Sequence, residues 1–200
     1  MNISKRAQSM PQSPIRKLAK YAEAAHRNGV HIYSLNIGQP DIQTPTCATD
    51  AIANFHKDIL EYTPSQGVIS LRAKMVGYYA EYGIDISPDE IIVTSGGSEA
   101  IMFAYMACLN PGDEIIITEP SYANYMAFAI SCGAVVKSVK TDIEDGFRLP
   151  SVEAFEEQIT DKTRAILICN PNNPTGYLYS KKEMMQIRDL VQKYNLYLFS

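Results

Sequence analysis

Three short stretches of this 200-residue chain combine polar groups with a restricted backbone, and each follows an apolar run. Asn170 to Gly176 reads N-P-N-N-P-T-G. Pro171 and Pro174 fix φ and bias the residues before them toward extended backbone, so three asparagines project from a stiffened loop. A carboxamide there can donate to an anionic oxygen without adding charge. Ser95 to Ala100 reads S-G-G-S-E-A ahead of an apolar stretch of helix length. The first N–H groups of a helix lack intrahelical partners and, with the macrodipole, form an anion site that glycine lets an anion approach. An exposed dipole alone supplies only about 0.3–1 kcal/mol, so tight binding needs the N–H groups and serine hydroxyls together. Glu119 to Tyr122 reads E-P-S-Y and sets a phenol at a strand-to-helix corner, where a flat ring can stack on another. Taken singly, each stretch also fits an ordinary turn or a packing corner.

The elements that must hold these loops alternate. Ala165 to Cys169 predicts a buried strand by its branched apolar run, and Ser180 with Glu183 predicts a capping box opening a helix through Tyr194. Further strands are predicted at Ile32 to Ile37, Glu90 to Thr94, Glu114 to Thr118, Val135 to Val139 and Leu196 to Ser200. Helices are predicted from Ser13 to the Asn28-Gly29 cap, over Thr49 to Ile59, Leu71 to Tyr82, Ile101 to Leu109 and Ala123 to Ile130, and over Ser151 to Ile159, capped by Ser151. Such alternation indicates an α/β fold with a mainly parallel sheet flanked by helices. The loops at Ser95, Pro120 and Asn170 would then open on one sheet edge, where α/β folds bind ligands.

Composition narrows the partners. With 46% hydrophobic and 20% charged residues and a net charge of −4, the chain reads as globular, with no polyanion or nucleic-acid partner. Cys47, Cys108, Cys132 and Cys169 are far apart with no C-x-x-C pair, which points to reduced thiols in the cytoplasm. His26, His31 and His56 fall short of a metal set. No apolar run approaches the roughly 20 residues of a membrane helix, and Met1 to Pro14 lacks the apolar core of an export signal. Neither G-x-G-x-x-G nor G-x-x-x-x-G-K-[ST] occurs at the glycine pair, which weighs against nicotinamide or nucleoside-triphosphate chemistry.

The heptapeptide as a whole resembles the N-P-x-N-P-T-G signature of class I aminotransferases of pyridoxal 5'-phosphate (PLP) fold type I, of the aspartate/aromatic kind. That resemblance implies PLP as cofactor and amino-group transfer between an L-amino acid and a 2-oxo acid, aspartate or an aromatic amino acid being the expected donor. Asn173 would bond the cofactor's phenolic oxygen and border the substrate carboxylate. Gly96, Gly97 and Ser98 match the family's phosphate cup, and Tyr122 matches the aromatic that stacks on the pyridine ring and faces substrate. Gly38, in G-Q-P-D, matches the glycine whose N–H faces the substrate α-carboxylate. Tyr62, in a Y-x-x-x-x-G segment ending at Gly67, matches the tyrosine that crosses a homodimer interface to the neighbouring phosphate.

The resemblance covers the given chain but about half of a family member. Residues 1–40 would belong to a small domain and 41–200 to the first part of the PLP-binding large domain. The family's Schiff-base lysine, its pyridine-pairing aspartate and its carboxylate-clamping arginine are expected beyond Ser200, so no catalytic residue is assigned within the chain and the chain alone is expected to be inactive. A PLP-dependent β-lyase of the same fold is a second reading, since fold and cofactor do not fix the reaction. A non-catalytic module that binds a phosphorylated ligand at Gly96 to Ser98 is a third.

Overall fold

The computed structural model describes residues 2–10, 17–36 and 38–200. In chain order the elements are α1 (Lys5–Gln8), α2 (Ala19–Arg27), α3 (Thr46–Ala53), α4 (Ile69–Ala80), a 3₁₀ turn (Pro88–Glu90), α5 (Gly97–Cys108), β1 (Glu114–Glu119), α6 (Ala123–Ser131), β2 (Val135–Lys140), α7 (Val152–Glu156), β3 (Thr163–Leu167), α8 (Lys181–Tyr194) and β4 (Tyr197–Phe199). They fall into two compact units, one of residues 1–13 and 96–200, the other of 14–95.

The larger unit is built on a four-stranded sheet of order β2-β1-β3-β4, all pairs parallel. β1 explains why. Ile115, Ile116 and Ile117 are all fully buried, so this strand must be covered on both faces, as parallel sheets are. Ile116 packs with Ile166, Ile168, Phe155, Ile187 and Leu190 on the α7/α8 face. Ile115 and Ile117 pack with Ala165, Leu167, Tyr105 and Ala129 on the α5/α6 face. The alternation follows the two-residue period of a strand, and each buried isoleucine contributes roughly 1.5–3 kcal/mol. At the strand's start the buried Glu114 accepts from Thr160 Oγ1 (2.7 Å) and Thr163 Oγ1 (3.2 Å) and pairs with Lys137 (3.5 Å), pinning β1 to both neighbours.

Three sequence expectations are corrected here. Ile32 to Ile37 forms no strand over its described residues, because Leu35 N donates locally to Tyr33 O rather than to a ladder; Ile37 lies outside the description. Glu90 to Thr94 is likewise no strand: Glu90 closes the 3₁₀ turn and Val93 N donates to Gln66 O. The helix expected over Thr49 to Ile59 begins at Thr46 and stops at Ala53, where the Asn54 carboxamide and N–H both take Asp50 O. The first helix is seen from Ala19, ending at Asn28 with Gly29 at φ +73°; Ser13, Pro14 and Ile15 lie outside the described residues.

In the smaller unit, Arg72 of α4 is buried and donates to Gly67 O (3.2 Å) and Pro88 O (2.6 Å), tying the loop after Tyr62 to the 3₁₀ turn. Gly67 has φ +95°, and a Cβ there would stand 2.6 Å from Val93 Cβ. Both the left-handed backbone and the close approach demand glycine. Gly67→Ala is therefore expected to destabilise this unit by about 2 kcal/mol or more, read as a lower urea midpoint; an unchanged midpoint would contradict the contact.

Candidate active site

Strand order locates the crevice. From β1 the chain crosses to β2 on one side, then returns past β1 to β3 and β4 on the other. The connections leave on opposite faces, α6 packing with one core cluster and α8 with the other. Loops that part in opposite directions at the carboxyl ends of adjacent strands open a crevice between them, the usual ligand position in open α/β sheets. Here that switch point lies between β1 and β3. The loop after β1 carries Pro120 to Tyr122, and the loop after β3 carries Asn170 to Gly176.

The second loop is held largely by its own polar groups. Asn170 Oδ1 accepts from Tyr179 N (2.9 Å), and Asn172 Oδ1 accepts from Thr175 N (3.3 Å). Asn172 N donates to Tyr177 O, and Gly176 N, at φ +73°, donates to Asn172 O (both 2.8 Å). Asn172 is buried, whereas Asn173 is exposed and its carboxamide bonds none of the described residues. The expectation of three projecting asparagines is thus corrected to one: two side chains close the loop on its own backbone, and Asn173 is left to act on something else. The peptides before Pro171 and Pro174 are cis, as is that before Pro120.

Beyond the loop, Ser180 and Glu183 form the expected capping box. The Glu183 carboxylate accepts from Ser180 Oγ (2.6 Å), Ser180 N (2.7 Å), Tyr177 Oη (2.8 Å) and Leu149 N (3.3 Å). Burial works to raise its pKa, but the Ser180, Tyr177 and Leu149 bonds to the charged form outweigh it and hold the carboxyl below its ordinary value.

Across the crevice Tyr122 is the N-cap of α6. Its hydroxyl accepts from Asn124 Nδ2 (2.7 Å), and its ring meets Tyr125 edge-on at 5.4 Å. Tyr125 Oη donates to Cys169 Sγ (3.4 Å) at the end of β3, so the Tyr122 corner and the asparagine loop do share one edge. The neighbouring Ser121 hydroxyl is shut off from solvent with no partner among the described residues, a polar atom available to a bound group.

α5 begins at Gly97 with Gly96 as N-cap in extended backbone, and packs on α6 through Tyr105 Oη, which donates to Tyr125 O (3.4 Å). Gly96, Gly97 and Ser98 are exposed, and a Cβ at either glycine would meet nothing within 4 Å. An anion can therefore approach the Gly97 and Ser98 N–H groups, those of Glu99 and Ala100 being turned to Gly96 O. An open helix start, an aromatic corner, a shielded hydroxyl and a neutral amide suit a phosphorylated planar ring in donor type. Gly38 and Tyr62 belong to the other unit, where both are exposed. A separate cavity of about 710 Å³ lies where α1 meets the turn into β2, lined by Arg6, Met126, Ile130 and Val136, and includes none of the expected site residues. Among the described residues no cluster of metal-ligating side chains occurs, and no helix is long and apolar enough to cross a membrane.

Reading the sequence missed Tyr125, Cys169 and Arg72. The first two carried a faint signal, Tyr125 three residues beyond Tyr122 and Cys169 directly before Asn170; Arg72 carried none, since an arginine on a helix reads as solvated.

Fold and site together define an α/β protein with a ligand crevice at the switch point of a parallel sheet. Comparison with known proteins is more specific: the chain belongs to the aminotransferase class I and II family, which matches residues 30–200. The aspartate aminotransferase of Thermotoga maritima is 36% identical over 99% of this chain and 53% of its own length. The aspartate/prephenate aminotransferase of Thermus thermophilus is 33% identical over 99% and 52%. The solved structure of the Thermotoga maritima enzyme superposes with a TM-score of 0.91 at 35% identity, covering 98% of this chain and 52% of that one. An alanine aminotransferase from Pyrococcus furiosus gives 0.87 at 34%, covering 98% and 51%. The chain spans about half the length of the relatives it matches. The expected family and its helix-flanked parallel sheet are both upheld.

Two outcomes follow from the loop. Asn172→Ala is expected to lower stability by about 1 kcal/mol or more, as it strips a buried partner from Thr175 N, while Asn173→Ala leaves the unfolding midpoint unchanged; equal losses would contradict the division. Glu183, lowered in the folded state, contributes stability in full above its unfolded value of about 4.3 and loses it as pH falls through the folded value. Urea midpoints taken from about pH 6 to about pH 3 should accordingly fall more steeply for the unaltered chain than for Glu183→Gln.

Proposed function

We propose that this chain is the N-terminal half of a PLP-dependent aminotransferase that moves an amino group between an L-amino acid, aspartate or an aromatic one, and a 2-oxo acid. The observation that carries the reading is the crevice between β1 and β3, with Tyr122 on one lip and an unengaged Asn173 on the other, in a chain of the aminotransferase family. When bound, the cofactor supplies an electron sink for charge developing at the substrate Cα.

This chain's own residues bind and orient. Backbone N–H groups at the start of α5 and the Ser98 hydroxyl would hold the phosphate, with Gly96 and Gly97 permitting its approach. The Tyr122 ring would set the plane of the pyridine by stacking. Asn173 would donate to the phenolic oxygen and border the substrate carboxylate, and the Gly38 N–H would face that carboxylate. Tyr62 would reach the phosphate of a second copy in a homodimer. Residues 1–40 would serve the small domain and 41–200 the large one, in a cytoplasmic protein whose cysteines stay reduced. No lysine within the chain is assigned catalysis.

Titration of the chain with PLP, followed by its visible absorbance and by competition with inorganic phosphate, tests this. Saturable binding well above that of phosphate is expected. Ser98→Ala and Asn173→Ala should each weaken it by about tenfold, as loss of a hydrogen bond to a charged group does, and Tyr122→Ala by a smaller factor of about fivefold. Equal affinity for PLP and plain phosphate would overturn the proposal in favour of a phosphate-binding module.

A further inference from the structure

The two lips of the crevice are joined by a contact to which the functional reading gives no role. Tyr125 stands three residues beyond Tyr122 on α6, and the two rings meet edge-on at 84°. Its carbonyl receives Tyr105 Oη from α5. Its phenol donates across the switch point to Cys169 Sγ at 3.4 Å, and the Cys169 thiol in turn donates to Pro171 O at 3.3 Å, inside the loop that carries Asn173. This line runs from the phosphate-side helix, through the stacking corner, to the asparagine loop.

We propose that the Tyr125 phenol and the Cys169 thiol are positioning groups that fix the Tyr122 ring relative to Asn173, so that a planar ligand meets its stacking surface and its amide donor in one geometry. The inference rests on the reading of the crevice as a PLP site. Packing alone does not call for these groups: a phenylalanine would fill the place of the Tyr125 ring, and an alanine would leave the β3 end apolar. Instead a phenol and a thiol, both half-buried, are aimed at one another and at a loop carbonyl. Burial first, and then the adjacent thiol, push the phenol up to about 12, so it remains a donor throughout the neutral range. Loops on opposite sides of a crevice have no ladder between them beyond the ends of their strands. A side-chain relay is then the means by which their tips keep a common register, and small misplacement of binding groups costs a large factor in function.

The chain contains no tryptophan, so Tyr122→Trp places a single indole reporter at the corner. In that background Tyr125→Phe, which keeps the ring and removes only the donor, is expected to lower the indole's fluorescence anisotropy without any cofactor present. Cys169→Ala should do the same, and Cys169→Ser, which still accepts and donates, should restore it. With Tyr122 in place, Tyr125→Phe and Cys169→Ala should each weaken PLP binding by about fivefold, and the double variant no further, because both break one relay. Unaltered anisotropy and affinity in Tyr125→Phe, or losses that multiply in the double variant, would overturn the inference, as would a shift in unfolding midpoint with the indole unaffected. A chain that binds no PLP at all refutes the functional reading instead, and is told apart by anisotropy changes that persist without ligand.

Discussion

The interaction on which the structure depends is the burial of β1 on both faces. Three successive isoleucines with no solvent exposure cannot sit at a sheet edge or under a single layer of helices. β1 must be central and covered above and below. Parallel pairing to β2 and β3 then forces each connection to pass over a face, and places strands on both sides of β1. The crevice between β1 and β3 is a consequence of that arrangement before any residue in it is considered. What the loops contribute is chemistry laid over a position that the core has already set.

The same logic explains what could be read from the sequence. Elements whose signal is burial on two faces, β1 and β3, and the capping-box helix α8 stood where their residues said they would, within two residues, whereas the helix expected over Ser151 to Ile159 kept its Ser151 cap but ended at Glu156. Where an element's identity depends on a partner strand, local pattern was a poor guide. Ile91 is buried and Ile92-Val93 is branched, yet Val93 N turns to Gln66 O. A strand exists through its ladder, and sequence alone does not reveal whether a neighbouring edge is present. Glycine told more. Gly67 was notable as the end of a motif, and its positive φ and its contact with Val93 show why nothing larger fits.

The candidate site was legible in its parts and opaque in its wiring. Motif resemblance marked Gly96 to Ser98, Tyr122 and Asn173, whereas the residue types by themselves did not say which of the three loop asparagines was available. That distinction lies in hydrogen bonds to backbone groups a few residues away, and all three asparagines look alike as letters. Tyr125 and Cys169 were hidden for a related reason: 44 residues separate them in sequence, and only the β1–β3 pairing brings them together.

A loop that presents one polar group must silence the others, because its own backbone N–H and carbonyl groups compete for every amide within reach. Here the competition is resolved by position. Asn170 is paired with Tyr179 N and Asn172 with Thr175 N, while Glu183 takes the N–H groups of Ser180 and Leu149 and the Tyr177 hydroxyl, so the chain on either side of Asn173 is satisfied internally. Asn173 sits between two prolines' worth of restricted backbone, where neither neighbour offers its side chain a turn to close. Its freedom is therefore enforced by the saturation of what surrounds it. A donor that has no internal alternative can bind an anionic oxygen without first breaking a bond to its own loop, and this is the property that an amide at the lip of a ligand crevice requires.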